Sequence, residues 1–171
     1  MQPTTIRLHS LPLNSVRTYL TAALFAAGNI ALPQLLHQIP QGGATWLPIY
    51  FFTLVGAYKY GWRTGLLTAL ASPAANAILF GMPAVAALPA IMLKSVLLAL
   101  IAGMVANRTN KATIGTMAAV VLGYQSLGTI GEWLISGNLA LACQDFRTGL
   151  PGIAFQIFGG WAVINYFSKR K

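Results

Sequence analysis

The sequence predicts an all-α polytopic membrane protein, one domain with six transmembrane helices and both termini in the cytoplasm. The first supporting observation is composition: 56% of the 171 residues are hydrophobic and 8% are charged. A soluble domain usually carries about 25% charged residues. So few charges cannot cover a water-soluble surface, but they suffice where most of the surface contacts lipid. The second observation is that basic residues gather on one side of the predicted spans.

Apolar stretches separated by polar or proline-containing turns define the six spans. Most are long enough to cross about 30 Å of hydrocarbon, at about 1.5 Å per residue. The second span is marginal and could instead be a re-entrant piece, although Tyr and Trp near its ends are typical of a membrane interface. Pro33 is expected to stop the first span. The approximate boundaries are 16–32, 46–60, 62–80, 83–106, 112–135 and 149–167.

The loop charges distinguish the two sides of the membrane. One side receives only Arg147, and Lys94 falls inside a span. Without the second span the asymmetry disappears, because Lys59 and Arg63 then share a side with the far loops. An excess of Lys and Arg marks the cytoplasmic side, so we expect a multi-pass membrane protein with cytoplasmic termini. The cytoplasmic side receives Arg7, Arg17, Lys59, Arg63, Arg108, Lys111, Lys169, Arg170 and Lys171.

Several functional classes find no support in the sequence. The net charge of +9 comes from scattered residues and not from a basic helix face with interleaved aromatics, so no nucleic-acid partner is predicted. Cys143 is the only cysteine, and no Cys/His cluster has metal-ligand spacing, so no metal site is predicted. No P-loop, HExxH, GxSxG or paired-aspartate motif is present. We therefore predict neither an enzyme activity nor a cofactor.

Lys94 is the charge expected inside the membrane, near the middle of the fourth span. An intramembrane charge costs several kcal/mol and marks a functional site by default. Nothing acidic lies within a turn or two of Lys94, so its partner must come from another helix or from a ligand. The alternative is that its side chain snorkels or bonds backbone carbonyls. Glu132, the only glutamate, lies toward the outer end of the fifth span.

Polar residues recur on one face of the third and fifth spans, and the sixth adds a glutamine. Such a face inside a membrane must contact protein or water. Hydrogen bonding between helices is the expected role of the Thr and Ser positions, namely Thr64, Thr68 and Ser72. The other members all lie in the outer halves of their spans. Ligand contact and helix-to-helix bonding both stay open for Asn76, Gln125, Glu132 and Gln156.

These polar groups are predicted to converge, with Lys94, on a cavity open to the outside. The loop after the first span lies on the same side and could close over it, which adds Gln34 and His37 as candidate ligand contacts. Lys94 would meet an anionic or carbonyl group, Glu132 an amine or ring N–H, and Trp133 would stack on a ring. The pattern favours capture of a small polar nutrient with both donors and acceptors.

Small residues dominate the first span. Ala22 and Ala26, like Ala23 and Ala27, are four residues apart. This spacing produces a smooth face on which another helix can approach closely. Because such faces are also common inside helical bundles, the spacing by itself does not identify a partner.

Further features extend across the whole chain. A long outer loop follows the AxxxA helix, a glycine-rich turn (Tyr60-Gly61-Trp62-Arg63-Thr64-Gly65) leads into the third helix, and a polar residue interrupts the apolar run Leu88–Ser95. With its length and six spans, the chain resembles the substrate-binding S components of energy-coupling-factor (ECF) vitamin transporters. In that family the substrate lies in the half of the helical bundle that faces the outside, among the first loop and the last three helices.

The resemblance implies a location in a bacterial inner membrane, and it implies partners as well as a ligand. In that family the alanine face of the first helix docks on a transmembrane coupling subunit, and a pair of ATPases drives import. It implies a vitamin-like ligand here, with docking by Ala22, Ala23, Ala26 and Ala27. Two rival functions stay open. A membrane enzyme acting on a lipid or isoprenoid is disfavoured by the shortage of acids and histidines, and a non-transporting accessory subunit leaves Lys94 unexplained.

Overall fold

The computed structural model describes residues 10–169, and within that range the chain is helical and contains no β-strand. His9, Arg7, Arg170 and Lys171 lie outside the described residues. The helices are α1 (Val16–Leu36), α2 (Gly42–Trp46), α3 (Phe51–Tyr60), α4 (Trp62–Phe80), α5 (Leu88–Thr109), α6 (Ile114–Ser136), α7 (Leu139–Ala142), α8 (Gln144–Arg147) and α9 (Leu150–Lys169), with a 3₁₀ turn at Pro48–Tyr50 between α2 and α3.

Three of these helices, α1, α5 and α6, are long and apolar enough to cross a membrane. Large apolar side chains are exposed on the outer surfaces of the bundle, for example Leu24 on α1 and Leu134 on α6. An apolar exterior of this kind suits contact with lipid. The prediction of an all-helical protein compatible with a membrane is confirmed, whereas the count of six spans and the orientation of the termini stay predictions.

The second predicted span is not one continuous helix. It is divided among α2, the 3₁₀ turn and α3, with a left-handed residue, Leu47 (φ 47°), at the break. The ten residues of α3 rise only about 15 Å, half of a hydrocarbon core of about 30 Å. Leu54 and Ala57 have no exposed surface, so α3 is a short helix buried at the centre of the bundle. The local apolar pattern could not reveal this, because a buried helix and a lipid-facing one are equally apolar.

Pro33 does not stop the first helix, contrary to expectation. The helix α1 continues to Leu36 with Pro33 buried inside it. Proline has no N–H to donate to the carbonyl four residues earlier, which is that of Asn29. In the folded chain that carbonyl accepts a hydrogen bond from Asn76 Nδ2 on α4 at 3.0 Å. Tertiary contact therefore compensates for the lost helical hydrogen bond.

The other long helices follow the predicted boundaries closely, with one consequential difference. The helix α5 begins at Leu88 and not at residue 83, because residues 81–87 form a turn. Lys94 therefore lies in the second turn of α5 and not near its middle. This shift places its side chain close to one end of the bundle.

A buried polar network joins α1, α3 and α4. Asn29 has no exposed surface, and its Nδ2 donates to Thr53 Oγ1 at 2.9 Å and to Ser72 Oγ at 3.2 Å. Its Oδ1 accepts from the backbone N–H of Phe52 at 2.9 Å, so a side chain of α1 caps the first turn of α3. The expected hydrogen bonding of Ser72 to another helix is thus confirmed. Asn29 is not among the residues predicted from the sequence.

The two ends of the bundle differ in charge. At one end the backbone N–H of Leu11 donates to the carbonyl of Tyr60, and Asn165 donates to the carbonyl of Ala112. We call this the basic end, because the described residues near it include Arg17, Lys59, Arg63, Arg108 and Lys111. The opposite end, here called the cavity end, is formed where α1, α4 and α6 finish and where α5 and α9 begin.

Candidate ligand-binding site

A cavity of about 480 Å³ occupies the cavity end. Its volume lies within the range of about 300–1,000 Å³ that is typical of small-molecule sites. The end of α1, the 3₁₀ turn, the start of α5, the end of α6 and the α7–α8 segment all contribute to its wall. Most of the wall is apolar, and its main polar side chains are His37, Tyr50, Asn76, Lys94, Glu132, Gln144 and Asp145.

An ion-pair cluster lies in the wall of this cavity. Lys94 Nζ is 2.5 Å from Glu132 Oε2 and 2.7 Å from Asp145 Oδ2. The Lys94 side chain is 3% exposed, against 16% for Glu132 and 17% for Asp145. The chain contains only two acidic residues, and both bind the same lysine. We call Lys94, Glu132 and Asp145 the charge triad.

Three separate elements bring the charge triad together. Lys94 extends from α5 and Glu132 from the last turns of α6, while Asp145 lies in α8. The stem of Lys94 crosses α6 at Gly128, where an added Cβ would lie 2.5 Å from Lys94 Cγ. A larger residue there would displace the lysine, so Gly128 provides the space that the ion pairs require.

The partner expected for Lys94 is therefore found within the chain, on α6 and on the short helix α8. The snorkelling alternative does not describe this side chain, because its Nζ contacts two carboxylates. Asp145 is not among the site residues that the sequence predicts. The number of acidic residues could have identified Asp145. A buried cation needs a compensating group, and this chain has only two carboxylates that could provide it.

His37 and Asn76 also line the cavity, as expected. His37 Nδ1 is 2.7 Å from the carbonyl oxygen of Pro33. A carbonyl only accepts, so Nδ1 carries a proton. Asn76 donates to the carbonyls of Asn29 and Ser72, and its Oδ1 accepts from Gln34 Nε2 at 3.3 Å. The amide of Asn76 is thus engaged within the bundle.

The remaining candidate residues do not line the cavity. Gln125 and Gln156 are fully buried within the bundle, and Gln156 Oε1 accepts a hydrogen bond from Tyr124 at 2.8 Å. Gln34 supports Asn76 from behind the wall. Trp133 is 45% exposed and lies outside the cavity lining. A residue that sequence reasoning missed, Tyr50, supplies an aromatic ring to the wall.

The four alanines of α1 divide between two faces of the helix. Ala22 and Ala26 are 6% and 8% exposed, and the carbonyl of Ala22 accepts a hydrogen bond from Thr68 on α4. They belong to packing within the chain. Ala23 and Ala27 are exposed on the outer face. The partner surface expected from the four alanines is therefore reduced to the outer pair.

No protein-family model, no curated protein and no solved structure matches the chain. Among the described residues, no group of three or more His, Cys, Asp or Glu side chains is placed to hold a metal ion.

Proposed function

We propose that the protein is the membrane-embedded S component of an ECF-type importer and captures a vitamin-like nutrient from outside the cell. The observation that carries the proposal is the cavity of about 480 Å³, whose wall holds a buried lysine and the only two acids of the chain and lies opposite the basic end. Ionised groups are rare inside membrane-spanning bundles and usually mark a substrate pathway or binding site.

A six-span topology with cytoplasmic termini is part of this proposal. The chain passes from the cavity end to the basic end through the 3₁₀ turn and α3, since Tyr50 lines the cavity and Tyr58 donates to the carbonyl of Lys111. This passage, together with the five long helices, makes an even number of crossings. An even number leaves both termini on one side, where the positive-inside rule favours the cytoplasm.

Coupling to import is the next part of the proposal. Ala23 and Ala27 form a shallow exposed strip on α1, where a helix of a transmembrane coupling subunit can approach closely. A pair of ATPases would supply the energy through that subunit. The rival of a lipid-acting membrane enzyme has less support, because both carboxylates are bound to Lys94. The alternative of a purely accessory subunit does not explain the cavity.

Native mass spectrometry of the gently purified protein tests the proposal. We expect the wild-type protein to carry a small molecule and Ala87→Trp to lose it, because Ala87 is an exposed residue of the cavity wall that tryptophan would obstruct. Ala162→Trp is the matched control, since Ala162 is exposed on α9 and lies outside the cavity lining. Purification from native membranes should also recover a membrane subunit and two nucleotide-binding subunits. Absence of both the small molecule and these subunits would refute the proposal.

A further inference from the structure

The charge triad carries a formal charge of −1 when all three groups are ionised, one cation against two anions. The rest of the chain has the opposite sign, because only one of the eleven Lys and Arg residues lies in the triad whereas both acids do, and the whole chain carries a net charge of +9. The cavity wall is therefore the one place where the acidic side chains of this protein are found. A positively charged molecule would be repelled elsewhere on the protein and attracted here.

Each carboxylate of the triad keeps one oxygen free of the lysine. Lys94 Nζ approaches Glu132 Oε2 and Asp145 Oδ2, while no side chain or backbone group of the described residues donates a hydrogen bond to Glu132 Oε1 or Asp145 Oδ1. Both residues line the cavity and both are partly exposed. Ionised carboxylates only accept hydrogen bonds. The two remaining oxygens can therefore accept hydrogen bonds from a ligand in the cavity.

Lys94 is poorly placed to bind an anionic ligand. Its Nζ donates a hydrogen bond to Asp145 and pairs with Glu132 at 2.5 Å, and its side chain is almost completely buried. No other Lys or Arg among the described residues lines the cavity. Arg147 follows closely after Asp145 in sequence but lines a neighbouring surface depression, which shares Leu141 and Gln144 with the cavity. An anionic ligand would meet a site of net negative charge with its single cation already neutralised.

The rest of the wall defines the body of the ligand. Its apolar residues include Ala84, Ala87, Ile91, Ile135 and Leu141, and Tyr50 adds an aromatic ring. Apolar surface of this extent favours a ligand that buries a hydrophobic or aromatic group. Hydrogen-bond donors at one end of such a ligand would reach the charge triad.

We propose that the ligand is a small organic cation, an ammonium or protonated ring nitrogen attached to an apolar or aromatic body. Its N–H groups donate to Glu132 Oε1 and Asp145 Oδ1, and Lys94 holds the two carboxylates in position for it. This specifies the substrate class of the proposed function and rests on that function. It replaces the expectation that Lys94 meets an anionic group of the ligand with a positioning role for Lys94.

Three probes of similar shape and different charge test this inference: phenethylammonium, phenethyl alcohol and hydrocinnamate. Binding of each to the purified full-length protein is measured by calorimetry. We expect the ammonium to bind at least about tenfold more tightly than the carboxylate, which is the size of effect that one charge-assisted hydrogen bond produces. Ala87→Trp should abolish its binding, whereas Ala162→Trp should leave binding unchanged.

Conservative variants distinguish the effect of the carboxylate charges on ligand affinity from the effect of cavity shape. Glu132→Gln and Asp145→Asn should each weaken phenethylammonium binding about tenfold or more, while the affinity for phenethyl alcohol should change little. Equal weakening for both probes would show that the substitutions disturb the cavity and not its charge, which would overturn the inference.

The remaining outcomes distinguish this inference from the proposed function. Tighter binding of hydrocinnamate, sensitive to Ala87→Trp, would overturn the cationic ligand and leave the cavity as a binding site. Failure of phenethylammonium to bind at millimolar concentration would also overturn it. The molecule seen by native mass spectrometry decides the proposed function separately, because its presence or absence does not depend on these probes.

Discussion

At the scale of single residues, both acidic side chains of the protein form ion pairs with the same lysine. An unpaired Lys94 would be costly at a position where its side chain is 3% exposed. Two carboxylates compensate for that cost at distances of 2.5 and 2.7 Å. The result is a site whose stability and ligand preference depend on the same three side chains. Stability and binding measurements on one set of variants can therefore separate the two roles.

Removal of the lysine should destabilise the protein more than removal of either acid. Lys94→Met leaves two carboxylates without a cation, and we expect a loss of about 3 kcal/mol, the lower end of the range for breaking a buried pair, because both acids are partly exposed. Glu132→Gln and Asp145→Asn each leave one ion pair and should cost about 1–2 kcal/mol. Thermal unfolding in detergent provides the measurement, with the exposed Arg147→Met as control.

The double variant Lys94→Met, Glu132→Gln should recover part of the stability lost in Lys94→Met, because it removes one of the two stranded charges. Wild-type stability of Lys94→Met would contradict the ion pairs. Recovery of stability by the double variant with ligand affinity unchanged would mean that the charge triad serves only the fold.

At the scale of elements, α1 presents different surfaces to the bundle and to its surroundings. Its inner face carries Ala22, Ala26 and the buried Asn29. Its outer face carries Ala23 and Ala27, together with exposed leucines. The same alanine spacing thus serves internal packing on one face and leaves a free surface on the other. The two roles can be distinguished by substitutions three residues apart.

Ala26→Leu and Ala23→Leu should have opposite consequences. Ala26 is 8% exposed, so extra methyl groups there should overpack the bundle and cost about 1–3 kcal/mol of stability. Ala23 is exposed, so leucine there should leave thermal unfolding unchanged while preventing co-purification with the coupling subunit. Unfolding temperatures and recovery of the complex are measured for both variants. Intact complex formation by a normally folded Ala23→Leu would contradict docking through this face.

The short helix α3 shows how one element depends on its neighbours. Its first turn is capped by Asn29 from α1, and an added Cβ on Gly65 of α4 would lie 2.3 Å from the Cβ of Ala57. A helix of ten residues is marginal by itself. Packing against α1, α4, α5 and α9 stabilises it.

At the scale of the whole molecule, the separation between the basic end and the cavity end determines how the protein would sit in a membrane. With the basic end in the cytoplasm, the cavity faces outward, as capture of an external nutrient requires. The six crossings that we propose would also place the segment that contains Cys143 and Asp145 outside. This arrangement is accessible to chemical labelling.

Labelling with a membrane-impermeant maleimide in intact cells tests the orientation. In a Cys143→Ser background, Thr148→Cys should react, because the exposed Thr148 lies at the cavity end. Asn107→Cys, exposed near the basic end, should react only after the cells are opened. Labelling of Asn107→Cys in intact cells, or protection of Thr148→Cys, would contradict the topology.

Much of the architecture follows from local patterns in the sequence. The all-helical class and the boundaries of α4, α6 and α9 could be predicted, because helix formation and contact with lipid depend on runs of neighbouring residues. The importance of Lys94 and Glu132 also follows from the sequence, since an ionised group in an apolar segment is costly wherever the helix packs.

Only the tertiary structure decided which groups meet. Asp145 lies 51 positions from Lys94, and no period along a helix relates them. Pro33 continues a helix because Asn76 of α4 bonds the carbonyl that proline leaves free. Gln125 and Gln156 are directed into the bundle and not to the cavity wall. A sequence determines what each segment must bury or expose, whereas the partner, and with it the net charge of the site, is determined by how the segments pack.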